Sequence, residues 1–376
     1  MAGAAGPLIG GVLTTKVSWR WAFYINLPIG GIVLPILYFL LRYPAPPKES
    51  LRQTVQKFDF AGIATIFGAT LLSLFALESG GVTFPWKSAV IISLFCISGC
   101  LLALFIWIET RVTYPILPPG LLKSRTVAMA MITGFFHYCC YLAFAYYLPL
   151  YFQGVKLQTA IRAGVSMLPY LAAVAFTNFF IGFIVNYTGR YYEPLVIGTA
   201  VMCLGAGLCI DFNGSEAKQV GYLLILGLGA GVIFPLPLSP IHAVVKREDV
   251  ATATSAYVYA RAYGATIGVA LGAIVFQNTI LQYTLPPQFH GLESIKDIPT
   301  YSVEEQEVVV QIVQHGCRNM FISFMILGAC CFLSSLFIGK HELQKHVKSS
   351  VNIRRKHELQ KHVKSSVNIR SITRKS

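Results

Sequence analysis

The sequence predicts an all-α polytopic membrane protein, and composition, hydropathy pattern and charge distribution each support that fold class. Of its 376 residues, 55% are hydrophobic and only 12% are charged, and the mean hydropathy is +0.61. Soluble globular proteins carry about 25% charged residues, so a soluble protein of this composition would expose large, aggregation-prone apolar patches. The composition therefore excludes a soluble globular enzyme, a disordered chain and a collagen-like fibre.

Runs of apolar residues divide the chain into membrane-spanning segments. A bilayer core about 30 Å thick requires about 20 apolar residues in a helix. Residues 1–15 are apolar but short, because a helix of that length reaches only about 22 Å, and they lack the basic start of a signal peptide. We predict about ten spans. The first one is partial, and we interpret it as the second half of a helix in a truncated chain. The nine full spans are expected at 21–41, 60–80, 89–108, 127–152, 166–187, 194–212, 219–245, 255–276 and 317–339.

The positive charge is concentrated at the end of the chain. The formal net charge is +14, and the segment 340–376 holds eleven Lys and Arg residues against two acidic residues. This segment contains a tandem repeat of KHELQKHVKSSVNIR at 340–354 and 356–370. With this tail in the cytosol and alternating spans, 21 basic residues lie on the inner side and 8 on the outer side, as the positive-inside rule favours. We predict a disordered cytosolic tail, with attraction to anionic lipid as an alternative, and no nucleic-acid partner.

The reactive side chains indicate neither a metal site nor an enzyme. Eight of the nine cysteines lie in or beside apolar runs and are interpreted as small apolar residues. His137, Cys139 and Cys140 lack a second pair of zinc ligands. The glycine-rich run 227–231 mimics a dinucleotide fingerprint, but it lies within a span and no strand precedes it. We predict no catalytic residue, no metal and no cofactor.

The first residues of the chain place small residues around one proline. Gly6 and Gly10 have the spacing that lets two helices approach closely, and Pro7 bends a helix because it lacks a backbone donor. A kinked gating element is predicted from Gly3, Gly6, Pro7, Gly10 and Gly11. Followed by WRWAFYINLPIGG at 19–31, this pattern resembles the major facilitator superfamily. It is specifically similar to the fungal drug:proton antiporters of the fourteen-helix branch, whose fifth helix carries it as the antiporter motif.

Further stretches extend this resemblance over about residues 3–340, among them ESGG at 78–81, PILP at 115–118, YLPLYFQ at 147–153 and RAYGATIGV at 261–269. The resemblance implies a major-facilitator helical bundle without helices one to four. In the loop 282–316, a short surface helix near 303–314 and a solvated loop both remain open. The implied organisation is an end of the N-terminal bundle (1–42, partial helix five and helix six), a cytosolic loop (43–58), two extra linker spans (59–110), a cytosolic loop (111–126), the C-terminal bundle (127–339) with the outer loop 282–316, and the basic tail (340–376).

Polar residues within the spans are candidates for coupling or for lining a cavity. Arg261 lies beside the GxxxGxxxG pattern of 264–272, and an arginine inside a membrane is a functional candidate by default. The alternative is that it reaches water at the inner interface. His137 lies near mid-span and is able to titrate, although a hydrogen-bonded packing role is favoured. The remaining candidates are Asn178, Gln153, Tyr141 and Tyr257 for a cavity, and Gly182, Gly189 and Arg190, which match the weaker counterpart of the family's loop motif.

The resemblance implies a multi-pass transporter of the plasma membrane that exports small hydrophobic or amphipathic compounds by alternating access and proton antiport. Its partners would be the lipid bilayer, a small-molecule substrate and protons. We expect the chain as written not to transport alone, because the resemblance leaves under half of one bundle in it. Two alternatives stay open: a siderophore or other solute transporter of the same superfamily, and a non-transporting truncated membrane protein.

Overall fold

The computed structural model describes residues 10, 13, 17–18, 20–40, 50, 58–81, 83–112, 115–283, 289 and 291–340. The regular structure of these residues is helical apart from one isolated bridge between Gly80 and Phe84, which confirms the all-α class. Short 3-10 turns occur at Cys209–Asp211, Arg247–Asp249 and Gly291–Thr300. The α-helices are α1 (Trp21–Tyr24), α2 (Asn26–Leu40), α3 (Phe60–Ser79), α4 (Ala89–Glu109), α5 (Pro119–Lys123), α6 (Arg125–Gly154), α7 (Ala160–Ser166), α8 (Leu168–Thr188), α9 (Tyr192–Leu208), α10 (Glu216–Ile233), α11 (Leu238–Val244), α12 (Val250–Ile280) and α13 (Val303–Leu336).

Nine segments of the described chain are long and apolar enough to cross a membrane, and they confirm the nine full spans predicted from hydropathy. Of the partial span over residues 1–15, only Gly10 and Leu13 are described, while the tail after Lys340 and most of the loop 43–58 lie outside the described residues. The nine segments are Trp21–Leu40, Phe60–Ser79, Ala89–Glu109, Arg125–Gly154, Ala160–Thr188, Tyr192–Asp211, Glu216–Val244, Arg247–Ile280 and Val303–Leu336.

Six of these segments form one bundle. The long helix α6 packs against α12 and α13, α10 packs against α8 and α9, and α13 also contacts α9 and α12. Hydroxyl pairs join the helices inside the bundle, with Thr133 Oγ1 2.9 Å from Ser334 Oγ and Thr199 Oγ1 3.0 Å from Ser335 Oγ. Such bonds matter because apolar surface alone gives little preference for a neighbouring helix over lipid.

The contact between α6 and α12 depends on three glycines at four-residue intervals. A Cβ at Gly264 would overlap the Phe135 carbonyl oxygen, and one at Gly268 would overlap that of Cys139. Gly272 lies against the ring of Tyr147, whose hydroxyl donates to the Val269 carbonyl at 2.7 Å. The residue numbers of the contacting pairs increase together on both helices, so α6 and α12 run parallel. Their separation is the close one that small residues permit.

The glycine run in α10 serves two neighbours at once. Gly227 and Gly231 face the backbone of α8 at Tyr170 and Val174, whereas Gly229 faces the backbone of α9 at Met202. The run therefore lets α10 fit between two helices. This packing accounts for the glycine spacing that resembles a nucleotide-binding pattern.

The span expected as continuous over 219–245 is interrupted. Helix α10 ends at Ile233 and α11 begins at Leu238. Pro235 and Pro237 lie in the gap, and neither has an amide hydrogen to continue the helical bonds. Irregular backbone at membrane depth is tolerated where protein surrounds it or a cavity adjoins it.

The loop expected over 282–316 from the sequence is shorter in the structure. Helix α13 begins at Val303, where the Ser302 and Glu305 side chains form a capping box, and it continues into the last span without a break. Val309 and Val313 are fully buried, so this polar-looking segment packs through one apolar side. The helical alternative is therefore the correct one for 303–314, and it is an extension of the span.

The helices α3 and α4 pack against each other, and α3 also contacts α12. Ser98 donates to the Ala69 carbonyl at 2.8 Å between them. Ser73 Oγ lies 2.8 Å from the Tyr263 hydroxyl, and Thr70 pairs with the hydroxyl of Tyr259. Two hydroxyl pairs thus attach α3 to the bundle.

Candidate functional site

The interruption between α10 and α11 places Phe234 against aromatic residues of α6. The Phe234 ring is 4.8 Å from that of Tyr141, at 86°, and 5.4 Å from that of Tyr138. The Tyr170 ring of α8 lies 6.0 Å from Tyr141, and its hydroxyl donates to the Tyr141 carbonyl at 3.2 Å. Edge-to-face arrangements of this kind are favourable between aromatic rings. We call this group the aromatic cluster: His137, Tyr138, Tyr141, Tyr170 and Phe234.

His137 connects α6 to α10. Its side chain is fully buried, and Nε2 lies 3.1 Å from the carbonyl oxygen of Ala230. Since a carbonyl only accepts, Nε2 carries the proton in this bond. Nδ1 is buried and has no hydrogen-bond partner among the described residues. The hydrogen-bonded packing role favoured from the sequence thus accounts for Nε2. Nδ1 remains an acceptor without a bond to any described residue.

The Arg261 side chain of α12 lies over the ring of Tyr138 of α6. Its guanidinium carbon is 4.3 Å from the Tyr138 ring centroid and 5.8 Å from that of Tyr257, within the range of cation–π attraction. In the described chain the ion pairs are Arg162–Glu216 and Lys246–Glu248, both on the surface. Arg261 therefore has no carboxylate partner among the described residues.

Tyr257 fills the space beside Gly134. The Tyr257 side chain is 1% exposed, and its ring end occupies the position that a Cβ at Gly134 would take. The Tyr257 hydroxyl has no hydrogen-bond partner among the described residues, although the nearby Arg261 charge acts on it electrostatically. A buried polar atom without a partner in a native protein calls for an explanation, such as a water or a ligand.

Arg261 and the aromatic cluster lie at similar depth. His137 is 12 residues after the first residue of α6, and Arg261 is 11 residues after that of α12. At about 1.5 Å per residue these distances are about 18 Å and about 16 Å. The two residues therefore lie at similar distances from the starts of two parallel helices, inside the predicted spans.

The other candidate residues do not join this group. Gln153 lies near the C-terminal end of α6, where its amide donates to the Pro149 carbonyl at 3.2 Å. Asn178 is partly exposed on α8. Gly182 has open space around it, Gly189 ends α8 with a φ of 73°, and Arg190 is exposed. Of the antiporter motif, Gly10 alone is described, and Gly3, Gly6, Pro7 and Gly11 lie outside the described residues.

Glu109 closes the loop that follows α4. The residue is 4% exposed, and its carboxylate accepts from the amides of Ile116 at 3.1 Å and Leu117 at 3.0 Å. Asp59 Oδ1 similarly accepts from the Gly62 amide at 2.8 Å and caps α3. These bonds explain why an acidic residue precedes the PILP stretch, and they give Glu109 a structural role in the described chain.

Sequence reasoning missed Tyr138, Tyr170 and Phe234. The signal for Phe234 was available in the FPLP stretch at 234–237, since two prolines at mid-span predict an interruption. Tyr138 and Tyr170 carry no comparable signal, because aromatic residues are frequent throughout the chain. Among the described residues, no group of three or more His, Cys, Asp or Glu side chains has the arrangement of a metal site.

Comparisons with known proteins agree with this architecture. A family model described as Major Facilitator Superfamily matches residues 1–269. The chain is 34% identical over 357 residues to "Efflux pump dotC" of Dothistroma septosporum, covering 90% of this chain and 61% of that protein. It is 34% identical over 360 residues to "MFS-type transporter ppz2" of Metarhizium majus, with 90% and 61% covered. For "Efflux pump roqT" of Penicillium rubens the values are 33% over 283 residues, with 74% and 52% covered. The chain thus spans about three fifths or less of these relatives.

Proposed function

Since the chain belongs to the Major Facilitator Superfamily, we propose that it is part of a transporter that exports small hydrophobic or amphipathic compounds by alternating access and proton antiport, and that the chain as written does not transport alone. The observation that carries this proposal is the aromatic cluster beside Arg261, within the spanning helices and next to an interrupted helix. Interrupted helices at the midplane are where transporters of several folds bind substrate. Relatives with the names dotC and roqT are called efflux pumps, which supports the outward direction.

The bundle supplies the rigid part of such a mechanism. The glycines of α12 lie against α6 and those of α10 lie against α8 and α9, so closely that an added Cβ would overlap the neighbouring helix. Alternating access by rocking requires bundles that move as units. We assign the gating role to Gly3, Gly6, Pro7, Gly10 and Gly11 and the loop contact at the inner surface to Gly182, Gly189 and Arg190, as the sequence predicts.

Two groups are proposed for proton coupling. His137 has one free ring nitrogen within the aromatic cluster, and Arg261 supplies a fixed positive charge beside Tyr138. A proton that binds or leaves near a fixed charge changes the relative free energies of two conformations. A proton gradient thereby shifts the equilibrium between them. Gln153 and Asn178 stay candidates for the cavity on the strength of their position in the spans alone.

The transport proposal is tested by flux into proteoliposomes. The purified chain, and any longer product that its transcript encodes upstream of Met1, is reconstituted with an imposed pH gradient and one neutral, one anionic and one cationic fluorescent compound. We expect uphill movement of at least one compound by the longer product, which stops when an ionophore collapses the gradient, and no movement by the chain as written. Uphill movement that survives the ionophore contradicts antiport, and absence of movement in both forms contradicts transport.

We also propose that the protein lies in the plasma membrane with its tail in the cytosol. The orientation places Asn213 outside and Asn186 inside, and both side chains are exposed. In intact cells, a membrane-impermeant maleimide should label an Asn213→Cys variant, and it should label Asn186→Cys only after permeabilisation. The reverse pattern would mean the opposite orientation.

A further inference from the structure

The charge distribution of the bundle singles out one position. Helices α6, α9 and α10 carry charged residues only within their first turn, and α8 carries none. Arg318 of α13 is exposed, and its neighbour Asn319 donates to Thr279 at 3.1 Å, which places it at the outer end of α12. Arg261 is therefore the charged residue of these helices that lies beside the aromatic cluster.

The surroundings of Arg261 leave its charge without compensation in the described chain. The guanidinium is partly exposed, contacts aromatic faces and has no carboxylate partner among the described residues. Cation–π contacts offset only part of the cost of placing a charged group inside a membrane. An anion bound there would offset that cost.

The same place offers a surface for a planar ring. Tyr138, Tyr141 and Phe234 are each partly exposed, so aromatic faces and edges remain open beside the guanidinium. His137 Nδ1 and the Tyr257 hydroxyl are buried polar atoms of the same region that have no hydrogen-bond partners among the described residues. A flat apolar surface, one cation and two unused polar atoms together suit an aromatic acid better than a cationic drug, because Arg261 repels a second cation.

We propose that Arg261, Tyr138 and Phe234 form a binding subsite for planar aromatic compounds that carry an acidic group such as a carboxylate, phenolate or sulfonate. This inference rests on the proposed export function and narrows its substrate class. Arg261 binds the anionic group, and the aromatic residues bind the ring. Neutral compounds of the same shape use the aromatic surface alone.

The test compares two dyes that differ by one sulfonate. 8-Anilinonaphthalene-1-sulfonate is an anion and N-phenyl-1-naphthylamine is its neutral counterpart, and both fluoresce on entering an apolar site. Binding to the chain in phosphatidylcholine nanodiscs is measured against empty nanodiscs. We expect Arg261→Met to weaken binding of the anionic dye about tenfold, in line with the loss of one charged hydrogen bond, and to change binding of the neutral dye less than twofold.

Three controls make the result specific. Arg261→Lys keeps the charge and should retain most of the affinity for the anion, and Arg318→Met removes an exposed arginine elsewhere and should change neither dye. Phe234→Leu should weaken both dyes. Retained binding of the neutral dye shows that the Arg261→Met variant is folded. An anionic lipid is the competing occupant, so the measurement is repeated with phosphatidylglycerol added to the nanodiscs.

The outcomes separate this inference from the function on which it rests. If Arg261→Met affects both dyes equally or neither, or if phosphatidylglycerol abolishes the difference between the dyes, the anionic subsite is wrong while a binding surface remains. If the cationic dye rhodamine 6G binds the unmodified chain more tightly than the anion does, the substrate class is also wrong. If no dye binds above empty nanodiscs, the binding function itself fails.

Discussion

The first described span and α6 are similar in hydropathy and opposite in packing. Trp21–Leu40 and Arg125–Gly154 both have the hydropathy of a membrane span, but no residue of the first is buried among the described residues, whereas more than half of the most apolar part of the second is buried. Both contain glycines, but Gly30 and Gly31 have open space around them, while Gly134 is covered by Tyr257. Hydropathy therefore identifies a span, and complementary small residues on a neighbour decide whether it is buried.

The largest expected effect concerns the closest helix contact. Gly268→Ala introduces a Cβ that overlaps the Cys139 carbonyl, and because backbone atoms cannot rotate away, we expect destabilisation of about 2 to 3 kcal/mol, as overpacking typically produces. Unfolding of the detergent-solubilised protein with denaturant measures it.

Gly30→Ala is the matched control for that contact. Its Cβ meets no atom within 4 Å, so the higher helix propensity of alanine should leave stability unchanged or raise it by up to about 1 kcal/mol. Equal effects of the two substitutions would mean that the glycine contacts do not distinguish the two spans.

Two tyrosine hydroxyls provide an intermediate test within the bundle. Tyr257 has a buried hydroxyl without a partner, whereas the Tyr170 hydroxyl donates to the Tyr141 carbonyl. A buried hydroxyl without a partner destabilises the folded state, so its removal is favourable, whereas removal of a bonded hydroxyl loses a hydrogen bond. We therefore expect Tyr257→Phe to stabilise the protein by about 1 kcal/mol and Tyr170→Phe to destabilise it by about 1 kcal/mol. Loss of stability in Tyr257→Phe would mean that its hydroxyl has a partner in solution.

The smallest effect is expected where α3 meets the bundle. Ser73→Ala removes the 2.8 Å pair with Tyr263, and hydrogen bonds between membrane helices contribute about 0.6 kcal/mol on average. Ser93→Ala is the control, since Ser93 bonds only to the Val90 carbonyl of its own helix. A crosslink between cysteines placed on α3 and α12 should form more slowly in Ser73→Ala than in the control. Equal rates would mean that lipid exclusion, and not the hydroxyl pair, attaches α3.

Much of the fold follows from the sequence because the bilayer imposes it. Runs of about 20 apolar residues must be helical to satisfy their backbone groups in lipid, so nine spans were predictable to within a few residues at most ends. The start of α13 was the main exception. Its first turns are polar on one side, but Val309 and Val313 pack into the bundle, and that packing extends the helix beyond the hydrophobic run.

The candidate site was only partly predictable. His137, Arg261, Tyr141 and Tyr257 stand out because polar groups are costly inside a membrane, and the structure brings these four together. Gln153 and Asn178 were selected by the same reasoning and lie elsewhere, because polarity along a chain does not specify which side of a helix faces which neighbour.

The sequence by itself determined the class, the number of full spans and the family, since each depends on local composition or on motifs read along the chain. Tertiary structure alone decided that α6 and α12 run parallel in glycine-mediated contact, that Phe234 turns towards α6, and that Arg261 lies over Tyr138 without a carboxylate partner in the described chain. The physical reason is that lipid is as apolar as the helices, so their arrangement depends on close packing and a few polar contacts between residues far apart in sequence.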